Sequence, residues 1–408
     1  MKLYITPSSG QSADYVTLSY CWGGPQPVQL EQDKLSDMVR GIDLNHLPNT
    51  LHNAVVTTRN LGFRYLWVDA LCIIQDSDED KMREINNMGG IYRNSTITLY
   101  AARAETVHGG FSPEPPKDEK SILKLEVELP MGKSSKGSMT LTLPKNNDFN
   151  FLPVNQRGWT LQEYLLSPRM LAFGEEVAWM CARHQYLALV PSTICSSYVP
   201  YEKFHILQDL SPQRRTAAWN RIVENFCQRR FTKADDRILG ITGIINMLVV
   251  AWQDECLFGL WKSRFLTHAT WYANPVPGSK RSKRAPSWSW MSIDQKISHC
   301  RLLTTDAVVI STSARQIEMK ARLLPLIEDA TRLSPFSFLM DLHKNELAED
   351  IACRPMYMLY LGEEFGTRCD LGLVVVREEA GEFRRVGLFE EQHRKVWATM
   401  AHQTLKLI

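Results

Sequence analysis

The segment Arg157-Gly-Trp-Thr-Leu-Gln-Glu163 sets an aromatic ring and a carboxylate four residues apart. On a helix that spacing puts Trp159 and Glu163 on one face, with Gln162 and Leu166 beside them. Leu161, Tyr164 and Leu165 then form the face that anchors the helix in a core. A carboxylate held in this way can accept hydrogen bonds from a ligand and stabilise positive charge that grows in a transition state. The indole can stack on a ligand base or stiffen the site. Plainer readings stand beside this one: Glu163 as a solvated residue or the ion-pair partner of Arg157 or Arg169, and Trp159 as core.

Other residues could join such a site. Asp69 interrupts the apolar run Tyr65 to Ile74, where an unpaired charge would be expensive. It either faces a ligand from the end of a strand or caps the next turn. Ser19, Tyr20 and Trp22 end the run Tyr15 to Trp22, and Gly23-Gly24 follows as a turn or as a close approach to phosphate. Arg157 could meet a phosphate or pair with an acid such as Glu163. The acidic stretch Asp76 to Asp80 lacks the oxygen spacing of an EF-hand and reads as a helix cap. Cys181-x-x-His184 has no second half at zinc-finger spacing, so no metal site is expected. No G-x-x-x-x-G-K-[ST] and no G-x-S-x-G occurs, which argues against P-loop nucleotide hydrolysis and α/β-hydrolase chemistry.

The elements that must position these residues alternate. Tyr15 to Trp22 is β-branched and aromatic and predicts a strand. Pro48 opens a helix with Leu51, Ala54, Val55, Thr58 and Leu61 on one face, and Gly62 follows its end. The run Tyr65 to Ile74 predicts a strand buried on both faces. The acidic stretch caps a helix with Met82, Ile85, Gly89 and Tyr92 on one face, and Thr96 to Ala102 predicts a third strand. Strand-helix alternation implies a parallel sheet flanked by helices, whose strands' C-terminal ends make the natural ligand crevice. Residues 112–150 predict an inserted, exposed hairpin. The pattern resumes at Arg157 with a short helix stopped by Pro168 and a strand pair, Met170 to Phe173 and Val177 to Cys181. The expected organisation is an N-terminal α/β domain over 1–200, a helical region over 201–295 and a β-rich region over 296–408. Residues 256–275 are read as a helix of the middle region, and the basic run Lys280 to Arg284 as a solvated loop or, less often, a nuclear signal.

Composition bounds the function class. The chain has 408 residues, 44% hydrophobic and 23% charged, enough for real cores. A net charge of +2 gives no strong pull toward nucleic acid or anionic membrane. The opening stretch has no secretory pattern, and no apolar run suggests a membrane span. Nine scattered Cys without a C-x-x-C pair fit reduced thiols, so a cytoplasmic location is expected.

Five segments in order resemble the heterokaryon-incompatibility (HET) domain of filamentous fungi: Leu18-Ser-Tyr-Cys-Trp-Gly23, Leu47-Pro-Asn-Thr-Leu51, Leu66 to Gln75, the helix end Met88 to Tyr92, and Arg157 to Glu163. Ile74 departs from the usual Asn before Gln, and the usual ending after Cys181 is missing. The resemblance implies non-self recognition leading to cell death. HET domains are in turn similar to Toll/interleukin-receptor (TIR) domains, which implies a TIR-like sheet and Trp159 to Glu163 as the counterpart of a catalytic helix. It further implies NAD glycohydrolysis (NAD nucleosidase activity) with Glu163 as catalytic residue, Ser19, Tyr20, Trp22, Asp69, Arg157 and Trp159 as substrate-binding residues, and NAD as substrate rather than cofactor. Self-association through the HET domain and an upstream sensor protein are the implied partners. The alternative is a non-catalytic HET module that signals by assembly. The catalytic reading requires Glu163, Asp69 and the end of the first strand to converge on one open pocket.

Overall fold

A computed structural model describes residues 1–6, 12–111, 122–127, 137–142, 152–174, 177–181, 185–187, 207–313, 315–326, 336–351, 354–392 and 396–408. The chain divides into two units, Met1–Lys203 and Phe204–Ile408.

The first unit runs β1 (Tyr15–Ser19), α1 (Leu35–Arg40), α2 (Asn49–Asn60), β2 (Tyr65–Trp67), α3 (Asp69–Cys72), α4 (Asp78–Asn94), β3 (Ile97–Tyr100), β4 (Ile122–Val127), β5 (Gly137–Thr142), α5 (Thr160–Leu166), β6 (Arg169–Phe173), β7 (Val177–Cys181) and β8 (Gln185–Leu187). Its main sheet has the order β2-β1-β3-β6-β7-β8. The first four strands are mutually parallel, and β7 and β8 add antiparallel. The α/β class with a parallel sheet flanked by helices is therefore what the chain adopts. β4 and β5 pair antiparallel, as the inserted hairpin predicts. The rest of 112–150, and His184, lie outside the described residues.

Strand periodicity divides the sheet's faces. Val16 and Leu18 of β1 and Ile97 and Leu99 of β3 join Leu51, Ala54 and Val55 of α2 in one apolar core. On the other face the side chains of β1 and β3 carry hydroxyls. Thr17 Oγ1 lies 2.7 Å from Thr98 Oγ1, which lies 2.6 Å from Ser167 Oγ just after α5. Tyr92 of α4 donates its hydroxyl to the Leu18 carbonyl at 2.9 Å. Thus α4 and α5 cover the hydroxylated face. Ser167 is extended before Pro168, which ends α5 where proline geometry requires.

Several elements differ from expectation. The apolar run Tyr65 to Ile74 is not one strand: β2 ends at Trp67, and α3 starts at Asp69. On α4, Gly89 and Tyr92 are buried as expected, but Met82 is exposed, and Asp80 and Met88 are buried besides. Residues 256–275 are not a helix but short strands around a four-residue helix.

Gly23 turns the chain after β1 with φ +69°, and a Cβ there would fall 2.4 Å from the Thr106 side chain and 2.5 Å from its Cα. The glycine thus serves close packing inside the protein. Gly23→Ala is expected to cost about 2 kcal/mol or more, from left-handed backbone and overpacking together. A lowered urea midpoint for the first unit checks this; an unchanged midpoint would contradict it.

The second unit opens with α6 (Pro212–Gln228) and α7 (Asp236–Trp252). Next come β9 (Cys256–Leu257), β10 (Leu260–Trp261), α8 (Phe265–His268), β11 (Trp271–Ala273) and β12 (Ile297–His299). Then follow β13 (Val308–Thr312), β14 (Ile317–Pro325), β15 (Phe336–Met340), α9 (Lys344–Ile351), β16 (Met356–Glu363), β17 (Asp370–Arg377), β18 (Phe383–Glu391), α10 (Val396–Thr399) and β19 (Gln403–Leu407). A sheet of order β13-β14-β16-β17-β18-β15 dominates, with β19 joined to β14 and β18, so this region is β-rich. The basic run before it is not simply solvated: Arg281 pairs with buried Asp341 at 3.0 Å, and Arg284 pairs with Asp294. Among the described residues no helix is long and apolar enough to cross a membrane.

Candidate functional site

The parallel strands β1 and β2 end at the same edge of the sheet. β1 ends on Ser19 and the chain then delivers Tyr20, Cys21 and Trp22, and beyond β2 it delivers Asp69 as the first residue of α3. Strand parity turns Ser19, like Thr17, toward the face covered by α4 and α5. α5 brings Glu163 to that face, and the loop before it brings Arg157.

These residues form one electrostatic cluster. The Trp22 indole N–H donates to Asp69 Oδ2 at 2.8 Å, and the Ala70 backbone N–H donates to Asp69 Oδ1 at 2.7 Å. The second contact is a carboxylate accepting at the start of a helical turn, as in capping. Arg157 Nη1 donates to the Tyr20 carbonyl, and the Tyr20 hydroxyl donates to Gln26 Oε1 at 3.2 Å. Tyr92, 1% exposed, packs edge-on against Trp67 at 5.6 Å between ring centroids.

Glu163 is 3% exposed. Burial pushes its carboxyl up to about 7. The Arg157 charge and the hydroxyls of Ser19 and Tyr92 favour the ionised form and oppose that shift, while the Asp69 charge adds to it. Asp69 is also raised by its dense surroundings, against the Arg157 charge and the donors Trp22 and Ala70. Burial, then the Asp69 charge, holds the Tyr20 phenol well above its usual value. Burial lifts the Cys21 thiol to about 11, so it is a neutral neighbour. Two carboxyls therefore share one guanidinium at the strand ends. Trp22, Asp69 and Arg157 are half-buried, and through them the cluster reaches the surface.

Six of the seven residues singled out in the sequence meet here: Ser19, Tyr20, Trp22, Asp69, Arg157 and Glu163. Trp159 does not. It sits at the start of α5, half-buried, and its indole makes no hydrogen bond or ring contact with the other six among the described residues. All seven residues of α5 are buried, so the split into a ligand face and a core face does not describe it. Tyr92 was not among the candidates; the signal for it was its place on the buried face of α4 at a motif's end.

Such an arrangement can hold a carboxylate near a sugar ring and a guanidinium near an anion. Among the described residues no group of three or more His, Cys, Asp and Glu is placed to hold a metal ion.

No curated protein and no solved structure matches the chain. Residues 15–163 match the family described as Heterokaryon incompatibility protein (HET), a span that runs from the first residue of β1 to Glu163 itself. Residues 15–163 thus carry a heterokaryon-incompatibility (HET) domain, and the cluster lies within it.

Proposed function

We propose that this protein acts in non-self recognition and regulated cell death, and that its HET domain does so by hydrolysing NAD. Water adds to the ribose C1 of NAD as nicotinamide departs, giving ADP-ribose and a proton. Nicotinamide leaves as a neutral molecule, so no general acid is needed. The protein's task is to stabilise the positive charge that grows on the ribose, which a nearby carboxylate does. Glu163 takes that role, Asp69 accepts from ribose hydroxyls, and Arg157 meets the diphosphate. Ser19, Tyr20 and Trp22 line the approach. Trp159, outside the cluster, belongs to the same proposal as a ring that stiffens the start of α5.

The observation that carries this reading is the meeting of Asp69, Arg157 and Glu163 at the carboxyl ends of parallel strands, where open α/β sheets bind ligands. A carboxyl raised by burial in that position supports the same reading. The likeness to TIR domains, self-association of the HET domain, an upstream sensor protein and a cytoplasmic location are parts of the same proposal.

The near-complete burial of Glu163 supports a second reading, in which the cluster holds the domain together and the HET module signals by assembly alone. Incubating the purified full chain at high concentration with NAD, wild type against Glu163→Ala, separates the two. The catalytic reading expects nicotinamide release that falls at least about 100-fold in the variant, the usual scale for losing an electrostatic stabiliser. Release by neither protein favours assembly, as does cell death that survives Glu163→Ala.

A further inference from the structure

The proposed chemistry leaves the second unit without a task, and the strands of that unit close on themselves. β14 gives its first half, Ile317 to Ala321, to β19, and its second half, Arg322 to Pro325, to β16. β16 pairs with β17, β17 pairs with β18, and Phe383 of β18 meets Leu407 of β19. These strands therefore form a ring. β18 and β19 are joined through that single residue pair, so the ring is loosely closed beside Gln403 to Lys406. A cleft of about 530 Å³ lies there, lined by residues of β14, β16, β17, β18 and β19 and of the turn between β17 and β18. Small-molecule sites occupy roughly 300–1,000 Å³, and the mouth of a strand ring is a common place for one.

The lining divides by chemistry. Leu323, Tyr357 and Phe383 make an apolar wall, with the two rings edge-on at 5.6 Å between centroids. Arg377 and Lys406 are exposed cations, and neither side chain has an ion pair or hydrogen bond among the described residues. The Arg377 guanidinium reaches the β17–β18 turn, its Nη2 4.0 Å from the place a Cβ on Gly381 would take. Glu318 and Glu382 also line the cleft, and each already accepts from a neutral donor, Ser311 Oγ at 3.0 Å and Gln316 Nε2 at 2.6 Å. The other oxygen of each carboxylate has no donor among the described residues and can accept from an amino group.

We propose that this cleft binds a mononucleotide-sized phosphate monoester whose flat ring carries an amino group. The ring packs on the wall of Tyr357 and Phe383, the phosphate meets Arg377 and Lys406, and the amino group donates to Glu318 or Glu382. Two free cations match a group with about two negative charges. A phosphate monoester carries about −1.5 to −2 at neutral pH, whereas a carboxylate carries one. The arginine fork suits phosphate oxygens, and the lysine adds a point charge. The site lies wholly within the second unit and does not depend on NAD hydrolysis by the first.

Titrating adenosine 5′-monophosphate (AMP) into the full chain by calorimetry tests this, with adenosine and inorganic phosphate as the two halves of the probe. AMP is expected to bind at least about 10-fold more tightly than either half, with an affinity that falls as salt rises. Arg377→Ala and Lys406→Ala change exposed side chains, so both variants are expected to fold. Each is expected to weaken AMP roughly 10-fold and to leave adenosine unaffected. Tyr357→Leu is expected to weaken AMP and adenosine alike, by about 5-fold, and to spare inorganic phosphate. The absence of AMP binding overturns the inference, as does adenosine binding as tightly as AMP. AMP binding that survives intact in the double variant Arg377→Ala/Lys406→Ala places the ligand elsewhere and overturns it equally.

Discussion

Glu163→Gln is expected to make the first unit more stable than wild type at pH 8, not less. The Glu163 carboxyl titrates near its ordinary value of 4.5 in the unfolded chain and at about 7 in the folded protein. Below pH 4.5 both states hold the proton and the group contributes no difference. Between 4.5 and 7 the unfolded chain ionises while the folded protein still holds its proton, so stability falls as pH rises. Above 7 the loss is complete and amounts to something on the order of 3 kcal/mol. Glutamine keeps the shape and carries no charge, so the variant escapes that loss. Arg157 keeps its bond to the Tyr20 carbonyl and its attraction to Asp69. Urea midpoints measured from pH 5 to 9 check the expectation: a falling line between pH 5 and 7.5 for wild type and a nearly flat one for the variant. A variant less stable than wild type at pH 8 would mean that Arg157 holds the carboxylate as a plain structural ion pair. Keeping a charge that weakens the fold is what a working site does, and this prediction therefore bears on function as well as on stability.

Arg385→Met is expected to destabilise the second unit by about 3–5 kcal/mol, the cost of leaving a buried partner charge behind. Arg385 and Asp341 are both 0% exposed. The guanidinium donates through Nε to Asp341 Oδ2 and through Nη2 to Oδ1, each at 3.1 Å. It also donates to the Ala269 carbonyl at 2.5 Å and to the Trp271 carbonyl, and lies 3.5 Å from the centre of a Trp271 ring. Methionine fills much of the volume and satisfies none of those acceptors. Arg281 still faces Asp341 at 3.0 Å, which keeps the loss below that of a wholly unpaired carboxylate. Arg385→Lys is not expected to rescue, because a point charge cannot span a carboxylate and two carbonyls while stacking on indole. Chemical denaturation followed by tryptophan fluorescence measures the loss; a change under 1 kcal/mol would show that the network adds little.

Much of this fold was legible where a pattern is long enough to show its period. The alternation of strands and helices, the turn at Gly62, the hairpin and the stop at Pro168 all follow from local chemistry. Legibility failed where an element is shorter than its own period. α3 has four residues, of which Ala70 and Leu71 are buried, so a single helical turn continues the apolar run of β2 without a break in pattern. The same holds around α8. The candidate site was half legible. Residue types and family motifs marked Asp69, Arg157, Glu163 and the end of β1. Spacing on α5 misassigned the faces, because a helix wedged between a sheet and α4 has no solvent face to find. The depth of Glu163 and the hydrogen bond from Tyr92 to the Leu18 carbonyl, 74 residues away, depend on long-range packing that no local pattern encodes.

Nicotinamide release from NAD by the purified full chain, wild type beside a Glu163→Gln variant shown to be folded at pH 7.5, tests the central claim most directly. The account predicts release by wild type and its loss, by at least about 100-fold, in a variant at least as stable. Equal release by both proteins would remove Glu163 from the chemistry, and release by neither would remove NAD hydrolysis from this domain.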